Sequence, residues 1–229
     1  MCPVVADANT SVLYRTSLRD QAYEVLRRWI IIETLPHGAK IVERELAAQM
    51  GVSRAPVNDA LIRLSAEGFV GKKPDGWYVA SFDEKQTERI FAVRIRLEPL
   101  AAELAAGNST PRVCAALETA GARYEQACKS GIHGDSVEAD VAIHSLIWDS
   151  AQNEYLRSAL GVVAVPTFML IPNCIRLAED WSRTLREHQA IISAIINGSP
   201  DGASRAMEEH VRQGLARSLR ARGSPSADS

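Results

Sequence analysis

Cysteine is sparse in this chain, four residues in 229, and Cys2, Cys114, Cys128 and Cys174 are scattered with no CxxC pair. That usage excludes a zinc ribbon, a CxxC redox motif and a disulfide framework, and it fits the reducing cytoplasm. Aromatic residues are few, at 6%. No uninterrupted apolar run approaches the roughly 20 residues that span a bilayer. The N-terminus lacks the basic-then-apolar pattern of a leader. Neither sign of charge dominates: a net charge of −2 excludes a generally basic nucleic-acid coat, but not a local basic face. Residues 17–80 carry nine Lys and Arg against eight Asp and Glu, and residues 81–229 carry sixteen against nineteen.

What is present is helical patterning, with 46% hydrophobic and 24% charged residues, enough for one large core or two smaller ones. Ser17 followed by Asp20 resembles a capping box and opens a helix through "LRDQAYEVLRRWIIIET", which "LPHGAK" breaks. "VERELAAQM" predicts a short helix closed by Gly51. Ser53 then caps a third helix that runs to about Glu67 and ends at Gly68. Two β-prone runs around Pro74-Asp75-Gly76 form a hairpin signal. This order is that of a winged helix-turn-helix. From Asp83 onward helical patterns cover 83–107, 111–130, 135–150, 153–180, 182–197 and 200–221, with Pro166 and Pro172 expected to kink or divide the fourth. The expected fold is therefore mainly α. It comprises a winged helix-turn-helix domain over 16–81, an antiparallel all-helical bundle over 83–221, and disordered tails at 1–15 and 222–229.

Within "GVSRAPVNDALIRL", Val57, Leu61 and Leu64 make a core stripe, while Arg54 and Asn58, at i and i+4, share an outer face near the helix N-terminus. A recognition helix needs such donors, since Arg grips guanine and Asn bridges adenine in the major groove. The helix alone favours an ordinary solvated face. Its place between "VERELAAQM" and the basic wing, where Arg44, Lys72 and Lys73 can meet phosphates, favours a DNA reader. The motif "ERELA…GVSRAPV…AL.RL…G" resembles the DNA-binding domain of GntR-family bacterial transcription regulators. By that resemblance Arg44, Ser53 and Arg54 match DNA-contacting positions, and Gly76 matches the wing-tip glycine. The family usually has Arg-Glu where this chain has Asn58-Asp59, which leaves open whether Asn58 reads another base or loses a contact.

The second constellation lies in the helical part. "EADVAIHSL" sets Asp140 and His144 one turn apart on one face. His188 and His210 flank the "NGSPDG" turn at offsets that an antiparallel hairpin would bring level. One Asp and three imidazoles suit a divalent transition metal such as Zn²⁺, Ni²⁺ or Mn²⁺ without sulfur. Taken singly, a helical histidine is more often an ordinary surface or satisfied core residue. The motifs "RIRLEPLAAELAA", "DVAIHSLIWDSAQN" and "EHQAIISAIINGSPDGASRAMEEHV" resemble the FCD ligand-binding domain of FadR-type GntR regulators. That resemblance makes Asp140, His144, His188 and His210 metal ligands lining a cavity, and Arg94 an effector-facing arginine. Arg94 can equally pair with Glu98 at i+4.

Together these readings describe a regulator, expected as a homodimer on a pseudo-palindromic operator, that responds to a small carboxylate effector. The alternative is a metal-dependent hydrolase with an accessory winged domain. It lacks support in the sequence, because Glu187 and Glu209 precede His188 and His210 without forming HExxH.

Overall fold

A computed structural model of the chain describes residues 17–174 and 178–223. Among these, nine helices and three short strands follow in the order α1 Leu18–Ile31, β1 Lys40–Ile41, α2 Glu43–Met50, α3 Arg54–Glu67, β2 Val70–Lys73, β3 Gly76–Val79, α4 Glu84–Gly107, α5 Pro111–Ser130, α6 His133–Ser150, α7 Glu154–Cys174, α8 Ala178–Ile196 and α9 Pro200–Gly223. The mainly α architecture read from the sequence is the one observed. The expected N-terminal tail lies outside the described residues. So does most of the C-terminal one, although α9 extends through Gly223.

The first three helices pack around Leu26, Ile30, Leu46, Val57, Leu61 and Leu64, all buried. Ser17 caps α1 by accepting the Asp20 amide. Gly51 takes the left-handed conformation, φ 66°, that the tight turn from α2 into α3 requires. Ser53 occupies the N-cap position of α3, but its side chain makes no capping bond, contrary to expectation; it is exposed at the helix end. The hairpin β2–β3 closes at Lys73 opposite Gly76, and a strand the sequence did not announce, β1, adds to its other edge to give the antiparallel order β1-β3-β2. "LPHGAK" hid that strand because two residues cannot show a period-two pattern.

Asp83 opens α4 with a full capping box with Gln86. Helix α4 lies along α9 and also touches α6, α7 and α8, while α5 packs on α6 and α8. The close α4–α9 approach is set by Gly214, where an added Cβ would stand 3.3 Å from the Phe91 ring. The expected division of α7 needs correction. The helix runs unbroken through Pro166 and Pro172, because burial of its lower half holds residues whose lost backbone hydrogen bonds would otherwise end it. It is also long and apolar enough to cross a membrane by length and composition, with mean hydropathy 1.4. Half of that window is buried in the fold, where α7 contacts α4, α6 and α9, so the apolar character serves packing. Arg28 of α1 joins the two parts of the chain through Glu138 on α6 at 2.5 Å and Asp135 at 3.6 Å.

Phe91 is fully buried where α4 meets α9. Phe91→Ala should lower stability by about 3–5 kcal/mol, measured by chemical denaturation; a loss under about 1 kcal/mol would mean that the two helices do not pack closely there.

Candidate nucleic-acid interface and metal centre

On α3, the buried Val57, Leu61 and Leu64 turn Arg54 and Asn58 outward, Arg54 exposed and Asn58 partly so. Arg54 reaches Glu43 of α2 at 3.5 Å, a loose surface pair that leaves the guanidinium available. Arg44 is exposed on α2. In the wing, Lys72 lies over the Trp77 ring at 5.0 Å and Lys73 over the Tyr78 ring at 4.2 Å, both ammonium groups reaching solvent. Gly76, φ 139°, starts β3 in a conformation that favours glycine. Asp59 pairs with Arg19 of α1 at 2.9 Å. The acidic member of Asn58-Asp59 is thus engaged inside the unit, and Asn58 alone carries the departure from the family pattern to the surface.

The other constellation converges fully. Asp140 and His144 come from α6, His188 from α8 and His210 from α9. One donor atom from each lies within 4.8 Å of all the others, and all four residues are buried. The α8–α9 hairpin brings the His188 and His210 rings to 4.5 Å between centroids.

The outer nitrogens explain what the inner ones present. His144 Nδ1 lies 2.6 Å from Glu98 Oε2, His188 Nδ1 2.9 Å from the Thr184 carbonyl, and His210 Nδ1 2.9 Å from Glu187 Oε2. Each outer partner is an acceptor, so each Nδ1 carries a proton and each Nε2 is left to accept. Inside, His144 Nε2 and His210 Nε2 are 3.2 Å apart, and His188 Nε2 is 3.2 Å from Asp140 Oδ2. The last two atoms are buried with no hydrogen-bond partner. Acceptors aimed at one another in a buried site repel, and a cation would resolve that conflict.

Charge follows the same logic. Burial alone would raise the Asp140 pKa, but His188 first, then His144 and His210, hold its carboxyl well below the usual range. Burial also opposes a charged His144, yet the Glu98 carboxylate outweighs it and raises that imidazole. Burial, then His188 and His144, push His210 well down. One oxygen and three nitrogen donors fit Zn²⁺, Ni²⁺ or Mn²⁺. Cys174 borders the same cavity, but burial pushes its thiol up to about 12 and it donates to the Leu170 and Gly214 carbonyls. It offers no thiolate.

Arg94 makes the i+4 pair with Glu98, its Nε donating to Oε1 at 2.5 Å, and it also lines the cavity beside Asp140, His144 and His210. That cavity measures about 10 Å³, room for about one water. Sequence reasoning missed three participants. Glu98 was seen only as a pairing partner of Arg94, Glu187 only as an unsuitable base, and Arg217 not at all. Arg217 lies on the face of His210 two turns on, and its Nη1 and Nη2 donate to Glu187 Oε1 and Oε2 at 2.8 Å each. The i, i+7 spacing was the available signal.

Comparison with known proteins covers both parts of the chain. Residues 18–79 match the family described as bacterial regulatory proteins, gntR family, and residues 89–213 match the FCD domain. The chain belongs to the GntR family. It is a transcriptional regulator with a DNA-binding helix-turn-helix and an FCD domain. Among curated GntR relatives it is 28% identical to the "Probable D-xylose utilization operon transcriptional repressor" of Paenarthrobacter nicotinovorans, over 90% of each chain. It is 27% identical to the HTH-type transcriptional repressor RspR of Escherichia coli (strain K12), over 86% of each. The solved structure of E. coli McbR/YncC superposes with a TM-score of 0.77 at 22% identity, covering 89% of this chain and 98% of that one, and so shows the shared fold.

If the cluster binds a divalent ion, Zn²⁺ at about 100 times its Kd should stabilise the protein by about 2.7 kcal/mol, roughly 5–10 °C in Tm. Asp140→Ala should lose that increment in calorimetric scans with and without Zn²⁺. Equal shifts in both proteins would place the binding elsewhere.

Proposed function

We propose that this GntR regulator binds a pseudo-palindromic operator as a homodimer and that a small carboxylate, held at a metal in the FCD domain, modulates that binding. In this reading residues 16–81 form the DNA-binding domain and residues 83–221 the effector domain, of the FadR-type subgroup, and the protein works in the cytoplasm with the chromosome. Arg44, Ser53, Arg54 and Asn58, with Lys72, Lys73 and Gly76 of the wing, make the DNA-facing surface. Arg54 and Asn58 are suited to base edges and the lysines to phosphates. Val93 and Leu100, two turns apart on α4, share an exposed apolar strip that suits a second copy of the chain.

The observation that carries the metal part is the set of inward Nε2 acceptors, each fixed by an outer partner on Nδ1. Asp140, His144, His188 and His210 would hold the ion, which when bound supplies a Lewis-acidic position for an oxygen ligand. Charge then defines the effector. Arg94 and Arg217 stand against Glu98, Glu187 and Asp140, leaving the site one negative charge with neutral imidazoles. A divalent ion makes it one positive, which a single carboxylate neutralises. Arg94 at the cavity wall is placed to take that carboxylate by its guanidinium.

The hydrolase alternative requires a base beside the ligands. Glu187 is engaged by His210 and Arg217, and Glu209 faces solvent where Gln213 donates to it. Neither geometry favours catalysis.

Arg54 is exposed, so Arg54→Ala should change folding stability by less than about 0.5 kcal/mol. Its affinity for a duplex selected by the wild-type protein should fall about 5- to 150-fold, corresponding to one base contact of about 1–3 kcal/mol, measured by fluorescence anisotropy at fixed salt. A folded variant with wild-type affinity would remove α3 from the interface.

A further inference from the structure

We propose that Glu187, clamped by Arg217, is the positioning residue that aims His210 at the metal, the counterpart of Glu98 and Arg94 behind His144. The inference rests on the metal reading above and goes beyond the four ligands.

Two rows of the same chemistry flank the cluster. In one, Arg94 Nε donates to Glu98 Oε1, and Glu98 Oε2 accepts from His144 Nδ1. In the other, Arg217 Nη1 and Nη2 donate to the two Glu187 oxygens, and Glu187 Oε2 also accepts from His210 Nδ1. The two rows meet where His144 Nε2 and His210 Nε2 lie 3.2 Å apart. Both arginines border the cavity, so each row runs from cavity wall to ligand.

Placement on the helices gives Glu187 this role. It precedes the ligand His188, and neighbours in a helix point about 100° apart, so Glu187 cannot aim at the cluster from its own helix. It reaches instead across to α9 and engages the outer edge of His210. Arg217 returns from α9 two turns further on, closing a loop between α8 and α9. Without the carboxylate, the His210 ring could rotate or move its proton to Nε2, and the metal-facing lone pair would be lost. Trp148 Nε1, which donates to Glu98 at 3.4 Å, has no equivalent on the Glu187 row among the bonds described, so Arg217 is the principal clamp there.

The test uses the full-length protein and Zn²⁺ alone. Glu187→Gln leaves Arg217 buried without its anion and risks misfolding, so the double variant Glu187→Gln, Arg217→Gln, which removes both charges, is measured with it. Competition against a chromophoric chelator should show Zn²⁺ affinity about 10- to 100-fold below wild type at unchanged stoichiometry. The visible bands of the Co²⁺-loaded variants should shift, which a purely structural role would not cause while the circular dichroism spectrum is unchanged. Ring-nitrogen NMR on the metal-free wild type, which needs no variant, should find the His210 proton on Nδ1. A proton on Nε2, or folded variants that bind Zn²⁺ as tightly as wild type, would overturn the role of Glu187. A wild-type protein that takes up no Zn²⁺ would instead overturn the metal reading, and this role with it.

Discussion

Four acceptor atoms aimed at one another inside a dry helical bundle are the constraint around which the rest of this molecule is arranged. Burying Asp140, His144, His188 and His210 costs solvation that the contacts among them return only in part. The surroundings meet that cost from outside, through Glu98, the Thr184 carbonyl and Glu187 on the outer nitrogens, and through Arg94 and Arg217 behind the two carboxylates. Burial and the two basic neighbours compete at Glu98. Arg94 and then His144 outweigh burial and keep its carboxyl ionised, well below the usual range. These polar rows need rigid scaffolding, which the tight α4–α9 packing at Gly214 and Phe91 supplies.

Helix α6 ties this centre to the DNA-facing part of the chain. It carries Asp140 and His144 inward and, on another face, Glu138 and Asp135 toward Arg28 of α1. Helix α1 in turn packs on α3, whose Arg54 and Asn58 form the outer face. An effector acts on such a system only by its differential affinity for two arrangements, and α6 carries two of the four clustered side chains while its ion pairs reach α1.

Much of this was legible in the sequence because it is local. The α2–Gly51–α3 order, the hairpin at Pro74-Asp75 and the i, i+4 pair Asp140 and His144 are set by periods and turn chemistry. The His188–His210 register followed from counting outward from one turn. What stayed hidden depends on tertiary contact. The strand β1 is too short to show alternation, and the continuity of α7 through Pro166 and Pro172 comes from burial that propensity ignores. The roles of Glu187 and Arg217 are visible only once α8 and α9 are paired. The departure at Asn58-Asp59 is half explained: Asp59 holds Arg19.

X-ray absorption at the edge of the metal carried by protein purified without chelators or nickel resin tests the central claim most directly. The account predicts about one divalent ion per chain. Its first shell should contain only nitrogen and oxygen, with imidazole scattering and, for zinc, distances of about 2.0–2.2 Å. A shell with sulfur at about 2.3 Å, or an absence of imidazole scattering, would contradict it.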